Sequence, residues 1–123
     1  MRKQIAAANW KMNLTASQAE TLATALATGV THLQAGQQVI LGVPFPYLML
    51  VQNKIAGNQN LFLSAQNCAD KLNGAYTGET SVEMLQSISI PFVIIGHSER
   101  REYYHETHSQ LATKVDLALA HNI

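Results

Sequence analysis

The chain has 123 residues, 47% of them hydrophobic and 13% charged, with a formal net charge of zero. It is long enough to bury a sizeable core and lies outside the composition of disordered segments. Its only adjacent cations are Arg2-Lys3 and Arg100-Arg101, so it offers no electrostatic footprint to nucleic acid or to an anionic membrane. One cysteine, Cys68, excludes an internal disulfide and a Cys-rich metal centre. The apolar run after Met1-Arg2-Lys3-Gln4 is too short for a signal peptide or a membrane span, and a cytoplasmic location is expected.

Gln4 to Ala8 reads as a first strand, weak in β propensity because of its alanines. Thr15 with Gln18 makes a capping-box signal, and Leu22, Leu26, Val30 and Leu33 trace one helical stripe. Val39 to Val43 is a second strand, ended by Pro44 and Pro46. Leu48, Val51 and Ile55 space a second helix that Gly57-Asn58 stops, and Leu61 to Ala65 reads as a third strand. A polar, Gly-containing loop runs from Gln66 to Gly78; loops beyond about 12 residues are usually functional or disordered. Thr80 with Glu83 repeats the capping signal before a helix carrying Val82, Leu85 and Ile88.

Phe92 to Ile95 reads as a fourth strand buried on both faces. Ser98 is placed to cap a helix beginning at Glu99, which leaves His97 just outside that N-terminus. Thr107 with Gln110 opens a last helix expected to bury Leu111, Val115, Ala118 and Leu119 and to stop at His121-Asn122. Ile123 then reads as the first step of a further strand, and the topology suggests truncation. Strand and helix alternate four times without a linker, which predicts an α/β fold with a parallel sheet covered by helices.

Each strand delivers polar groups to its carboxyl end, where ligands bind in α/β folds. These are Asn9-Trp10-Lys11-Met12-Asn13, Pro44-Phe45-Pro46, Gln66-Asn67 and His97-Ser98-Glu99. Asn9, Lys11, His97 and Glu99 on one rim would suit a small, oxygen-rich anion, with Lys11 as cation, Asn9 as amide and His97 as a donor to a carbonyl. Dinucleotide, P-loop, zinc-protease and nucleophile-elbow motifs are absent. His105 and His108 can share a helix face without an evident third ligand, so no metal site is expected. Cys68 has no cationic neighbour in sequence and reads as a buried spectator.

Three segments, Ala8-Asn9-Trp10-Lys11-Met12-Asn13, Gly74-Ala75-Tyr76-Thr77-Gly78-Glu79 and Gly96-His97-Ser98-Glu99-Arg100-Arg101, together resemble the triosephosphate isomerase family in order and separation. The resemblance covers the whole chain. It implies the (β/α)8 TIM barrel of about 250 residues, with residues 1–123 as its N-terminal half, the first four βα units of one domain. It also implies a glycolytic and gluconeogenic isomerase that needs no cofactor and interconverts dihydroxyacetone phosphate and glyceraldehyde 3-phosphate through an enediolate. On that resemblance Lys11 matches the lysine that holds the substrate's negative charge, and Asn9 the asparagine beside it. His97 matches the electrophilic histidine, which the family keeps neutral at a helix N-terminus. Glu99 matches the glutamate of the Ser98-Glu99-Arg100-Arg101 turn, with Ser98 in support.

The resemblance further implies a homodimer. The loop bearing Tyr76, Thr77, Gly78 and Glu79 would insert beside Met12 and the His97–Glu99 turn of a second subunit, with Arg100 also at that interface. The family's general base and phosphate-gripping loop would lie beyond Ile123, so residues 1–123 alone are expected to be inactive. Two other readings stand beside this one. One is a receiver-like, doubly wound binding or signalling domain; the other is a half-barrel module that pairs with itself or with a complementary half.

Overall fold

Apolar runs become strands and capping signals become helix starts in the computed structural model, which describes residues 2–123. The order is β1 (Gln4–Asn9), α1 (Ala16–Gly29), β2 (Gln37–Val43), a 3₁₀ turn (Phe45–Tyr47), α2 (Leu48–Lys54), β3 (Leu61–Ala65), α3 (Val82–Ser87), β4 (Phe92–Val93), α4 (Ser98–Tyr103) and α5 (His108–Ala120). The strands follow one another in the sheet order β1-β2-β3-β4. That sequential order belongs to a (β/α) barrel. A receiver-like sheet sets β1 between β2 and β3, whereas here β1 stands at the end of the order, so the receiver-like reading is overturned.

The chain divides into two compact units, one ending at Ser64 and the other spanning Ala65–Ile123. In the first, β1 and β2 pair in parallel from Gln4↔Gln37 to Asn9↔Gly42. Gln37 Nε2 donates to Gln4 Oε1 at 2.9 Å, so β2 starts two residues before its apolar run. The Val39 N–H reaches the Asn60 carbonyl at 3.0 Å and brings in the start of β3. Leu41, Val43, Leu48 and Val51 are fully buried and form this unit's core.

The Thr15–Gln18 capping box forms as expected, but the face that α1 buries differs from the expected leucine stripe. Ala19 and Ala23 are buried, while Leu22 is exposed and Leu26 half-buried. Two small residues one turn apart let the helix lie close to its support, and that contact outweighs the larger but offset leucines. The helix also stops at Gly29, short of the expected Leu33. Asn58 Nδ2 donates to the Ala27 and Val30 carbonyls at 3.0 and 2.8 Å, satisfying acceptors that a longer helix would have used itself.

In the second unit, the Ile94 N–H donates to the Ala65 carbonyl at 2.8 Å. β4 proper covers two residues rather than the expected Phe92 to Ile95, and these positions are half-buried rather than buried on both faces. A strand last in the sheet order is bonded along one edge only, and the chain turns off at Gly96, whose φ is +71°. The cap of α3 is Ser81, whose Oγ accepts from the Met84 N–H at 3.2 Å, rather than the expected Thr80. Thr80 is occupied in closing the preceding loop, its carbonyl accepting from the Ala69 N–H at 2.8 Å. Val82 and Leu85 are buried as expected, and Ile88 is half-buried.

The Thr107–Gln110 box starts α5 as expected. Its buried residues are Lys114 and Ala118, with Leu111 half-buried; Val115 and Leu119 are 41% and 68% exposed, against expectation. The helix is turned by a buried charge, since Lys114 points inward to an acid and an amide.

Candidate functional site

The segment after β1 is a pinned turn. Trp10 is buried and its N–H reaches the Gly42 carbonyl at 2.9 Å. Asn9 Oδ1 accepts from the Lys11 N–H, and Asn13 Nδ2 donates to the Trp10 carbonyl, each at 2.9 Å. These bonds hold Lys11 in the left-handed region at φ +57°, where a non-glycine residue is strained. Lys11 is exposed, and Met12 stands out at 94% exposure. Asn9 is thus a residue that shapes the lysine's backbone as well as a candidate ligand.

The segment after β4 is organised around His97, which is itself the N-cap of α4; Ser98, the expected cap, is the first helical residue. The Glu99 N–H donates to His97 Nδ1 at 3.2 Å, and the His97 carbonyl accepts from the Arg100 and Arg101 N–H groups at 2.9 and 3.2 Å. A side chain of one residue type outside the usual capping set does the work of a serine here, because its bare ring nitrogen is an acceptor. In a neutral imidazole one nitrogen accepts and the other carries the proton. With Nδ1 accepting, a neutral ring carries its proton on Nε2, which is then the donor. Glu99 Oε2 lies 3.5 Å from the same Nδ1, farther than the amide. His97 and Glu99 are therefore brought together, as Asn9 and Lys11 are in the first unit.

Beyond β3 the loop is anchored at its start and exposed at its tip. Asn67, Cys68 and Ala69 are buried, whereas residues 73–79 are exposed, with Tyr76 at 47%. The Glu79 N–H closes a turn on the Tyr76 carbonyl at 3.1 Å around Thr77 and Gly78, whose φ is +93°. Burial pushes the Cys68 thiol up to about 11, with Lys114 partly offsetting it, which makes the thiol unreactive at neutral pH.

A charged cluster that the sequence reading did not single out occupies the same unit. Arg100 Nε donates to Glu106 Oε1 at 3.1 Å, and the Arg100 guanidinium lies over the Tyr104 ring, 4.8 Å from its centroid. Lys114 Nζ bonds both Glu106 Oε2 and Asn67 Oδ1, the latter at 2.9 Å. The Lys114 and Glu106 side chains are 7% and 6% exposed. Lys114 sits three residues after Leu111 and four before Ala118, the spacing of a helix's inner face. That position was the available signal, passed over because lysine is seldom buried.

Among the described residues no group of three or more His, Cys, Asp or Glu could hold a metal ion, and no helix is long and apolar enough to cross a membrane.

The sequence profile of the triosephosphate isomerase family matches residues 4–123. The triosephosphate isomerase of Phocaeicola vulgatus is 46% identical over 123 residues, which is 100% of this chain and 49% of that protein. That of Porphyromonas gingivalis has the same identity and coverage. That of Entamoeba histolytica is 44% identical over 122 residues, 96% of this chain and 46% of its own length. The chain spans about half the length of the curated relatives it matches.

Proposed function

The chain belongs to the triosephosphate isomerase family, and from that premise we propose that it is the N-terminal half of a triose-phosphate isomerase, four βα units of one TIM-barrel domain. The whole protein interconverts dihydroxyacetone phosphate and glyceraldehyde 3-phosphate, acts in the cytoplasm as a homodimer and needs no cofactor. Asn9 and Lys11, at and just beyond the carboxyl end of β1, and His97 and Glu99, beyond β4, are the residues assigned to the substrate. Lys11 supplies the cation that attracts the phosphorylated substrate and balances charge on the enediolate. His97 donates from Nε2 to the substrate oxygens as negative charge develops there. A preset donor aimed at developing charge is the most effective electrostatic aid to such a step.

The observation that carries this reading is the Glu99 N–H bond to His97 Nδ1, which fixes the tautomer the chemistry needs. Glu79, Glu83, Glu102 and Glu106 have no role as the base that takes the carbon-bound proton, so residues 1–123 alone are inactive.

The test uses the full-length enzyme and coupled assays of both directions. His97→Gln and Lys11→Ala should each lower kcat by about 10²–10³-fold, and near-parental turnover in both would remove the reading. Turnover by the 123-residue chain itself, abolished by His97→Gln, would show that a base lies within it. Thr77, with Tyr76, Gly78 and Glu79 at the exposed loop tip, packs beside Met12 and Arg100 of a second subunit. Thr77→Arg should therefore yield monomers by light scattering, and an unchanged dimer counts against the interface.

A further inference from the structure

His97 Nδ1 has two possible partners on one residue, the Glu99 N–H at 3.2 Å and the Glu99 carboxylate at 3.5 Å. The amide leaves the proton on Nε2; the carboxylate would draw a proton onto Nδ1. Both groups belong to Glu99 in the first turn of α4, so the placement of that turn bears on which of them Nδ1 meets. α4 has six residues, too few to hold a fixed position by its own hydrogen bonds.

What holds it is the charged cluster that Arg100 joins. Arg100, in the middle of α4, is bound to Glu106, and Glu106 is bound to Lys114 on α5. Lys114 is bound to Asn67, two residues past the end of β3. The chain three residues before His97 is tied to the same strand end, because the Ile94 N–H bonds the Ala65 carbonyl at 2.8 Å. The segment before His97 and the helix after it are thus each tied to the end of β3, the helix through the cluster.

We propose that Glu106 is a positioning residue for His97: through Arg100 it holds the first turn of α4 so that Nδ1 takes the Glu99 amide and the proton stays on Nε2. The catalytic consequence rests on the isomerase reading; the tautomer itself does not.

Long-range proton–nitrogen NMR on histidine-labelled intact protein reads the two ring nitrogens separately. In the parent, Nδ1 should show the shift of a bare ring nitrogen and Nε2 that of a protonated one. Arg100→Gln cuts the link at its more exposed end while Glu106 keeps Lys114, and Glu106→Gln cuts it at the centre. Both variants should move Nδ1 toward protonated character. In the coupled assay kcat should fall about ten- to a hundredfold with KM unchanged, and Arg100→Lys should recover part of both effects. A folded Arg100→Gln variant with parental ring shifts overturns the proposal. So does unfolding of Arg100→Gln, since the cluster would then support the fold alone. An intact parent with no turnover refutes the isomerase reading and leaves the NMR result to judge the clamp.

Discussion

Replacing Lys114 by methionine tests how much the buried cluster contributes to folding. The new side chain keeps nearly the same length, so the cost is electrical rather than a cavity. Glu106, 6% exposed, would retain only Arg100, whose side chain is 29% exposed and partly screened by water. Breaking a buried pair costs about 3–5 kcal/mol, and the remaining arginine puts this case near 3 kcal/mol. Asn67 Oδ1 loses its 2.9 Å donor inside the fold, adding about 1 kcal/mol. The sum is about 4 kcal/mol, and with a urea dependence of about 2 kcal/mol per molar the midpoint should drop by roughly 2 M. Urea unfolding followed by far-UV circular dichroism measures it. Adding Glu106→Gln should restore most of the loss, because the amide needs no cation. A single Lys114→Met variant within about 1 kcal/mol of the parent would refute the argument, since that is the behaviour of a solvent-screened surface pair.

Two further outcomes follow from local geometry. The Cys68 thiol is raised from 9.0 to about 11 by burial, so the folded state keeps its proton where the unfolded state has lost it. Stability from this group is fully present below pH 9 and is lost as pH rises toward 11, by about 2–3 kcal/mol; Cys68→Ala should flatten that decline in pH-dependent unfolding, and an unchanged profile excludes the thiol as its cause. Gly96→Ala places a methyl group 3.1 Å from Leu111 Cδ1 at a φ of +71°. It should cost about 1–2 kcal/mol in chemical unfolding, and a loss below about 0.5 kcal/mol would show that the turn relaxes freely.

The order of elements was legible because strand runs and two capping boxes carry their own punctuation: Thr15–Gln18 and Thr107–Gln110 both form as read. The third cap slipped by one residue because a long-range bond between Ala69 and Thr80 decided it, and no local pattern encodes that. Helix faces were the least legible. In α1 the alanines won over the leucines by close approach, and in α5 a buried lysine turned Val115 and Leu119 outward. The polar residues at the strand ends were visible as residue types, and the bond between Asn9 and Lys11 was not. Nor was the capping role of His97, since histidine lies outside the residues normally read as helix caps. The cluster of Asn67, Arg100, Glu106 and Lys114 spans 47 residues between its outermost members, a distance over which sequence spacing carries no signal.

Lys11 sits at φ +57°, a backbone setting that glycine or asparagine accepts more easily than lysine. Selection for thermal stability alone would therefore drive this position toward glycine, and the resulting protein would be sturdier and have lost its cation. The lysine persists against its own conformational preference, held by Asn9, Trp10 and Asn13 around it. In an engineered library of the full-length protein the proposed isomerase function gives the conflict a readable signature: variants enriched by heat at position 11 should be the ones depleted by selection for that activity.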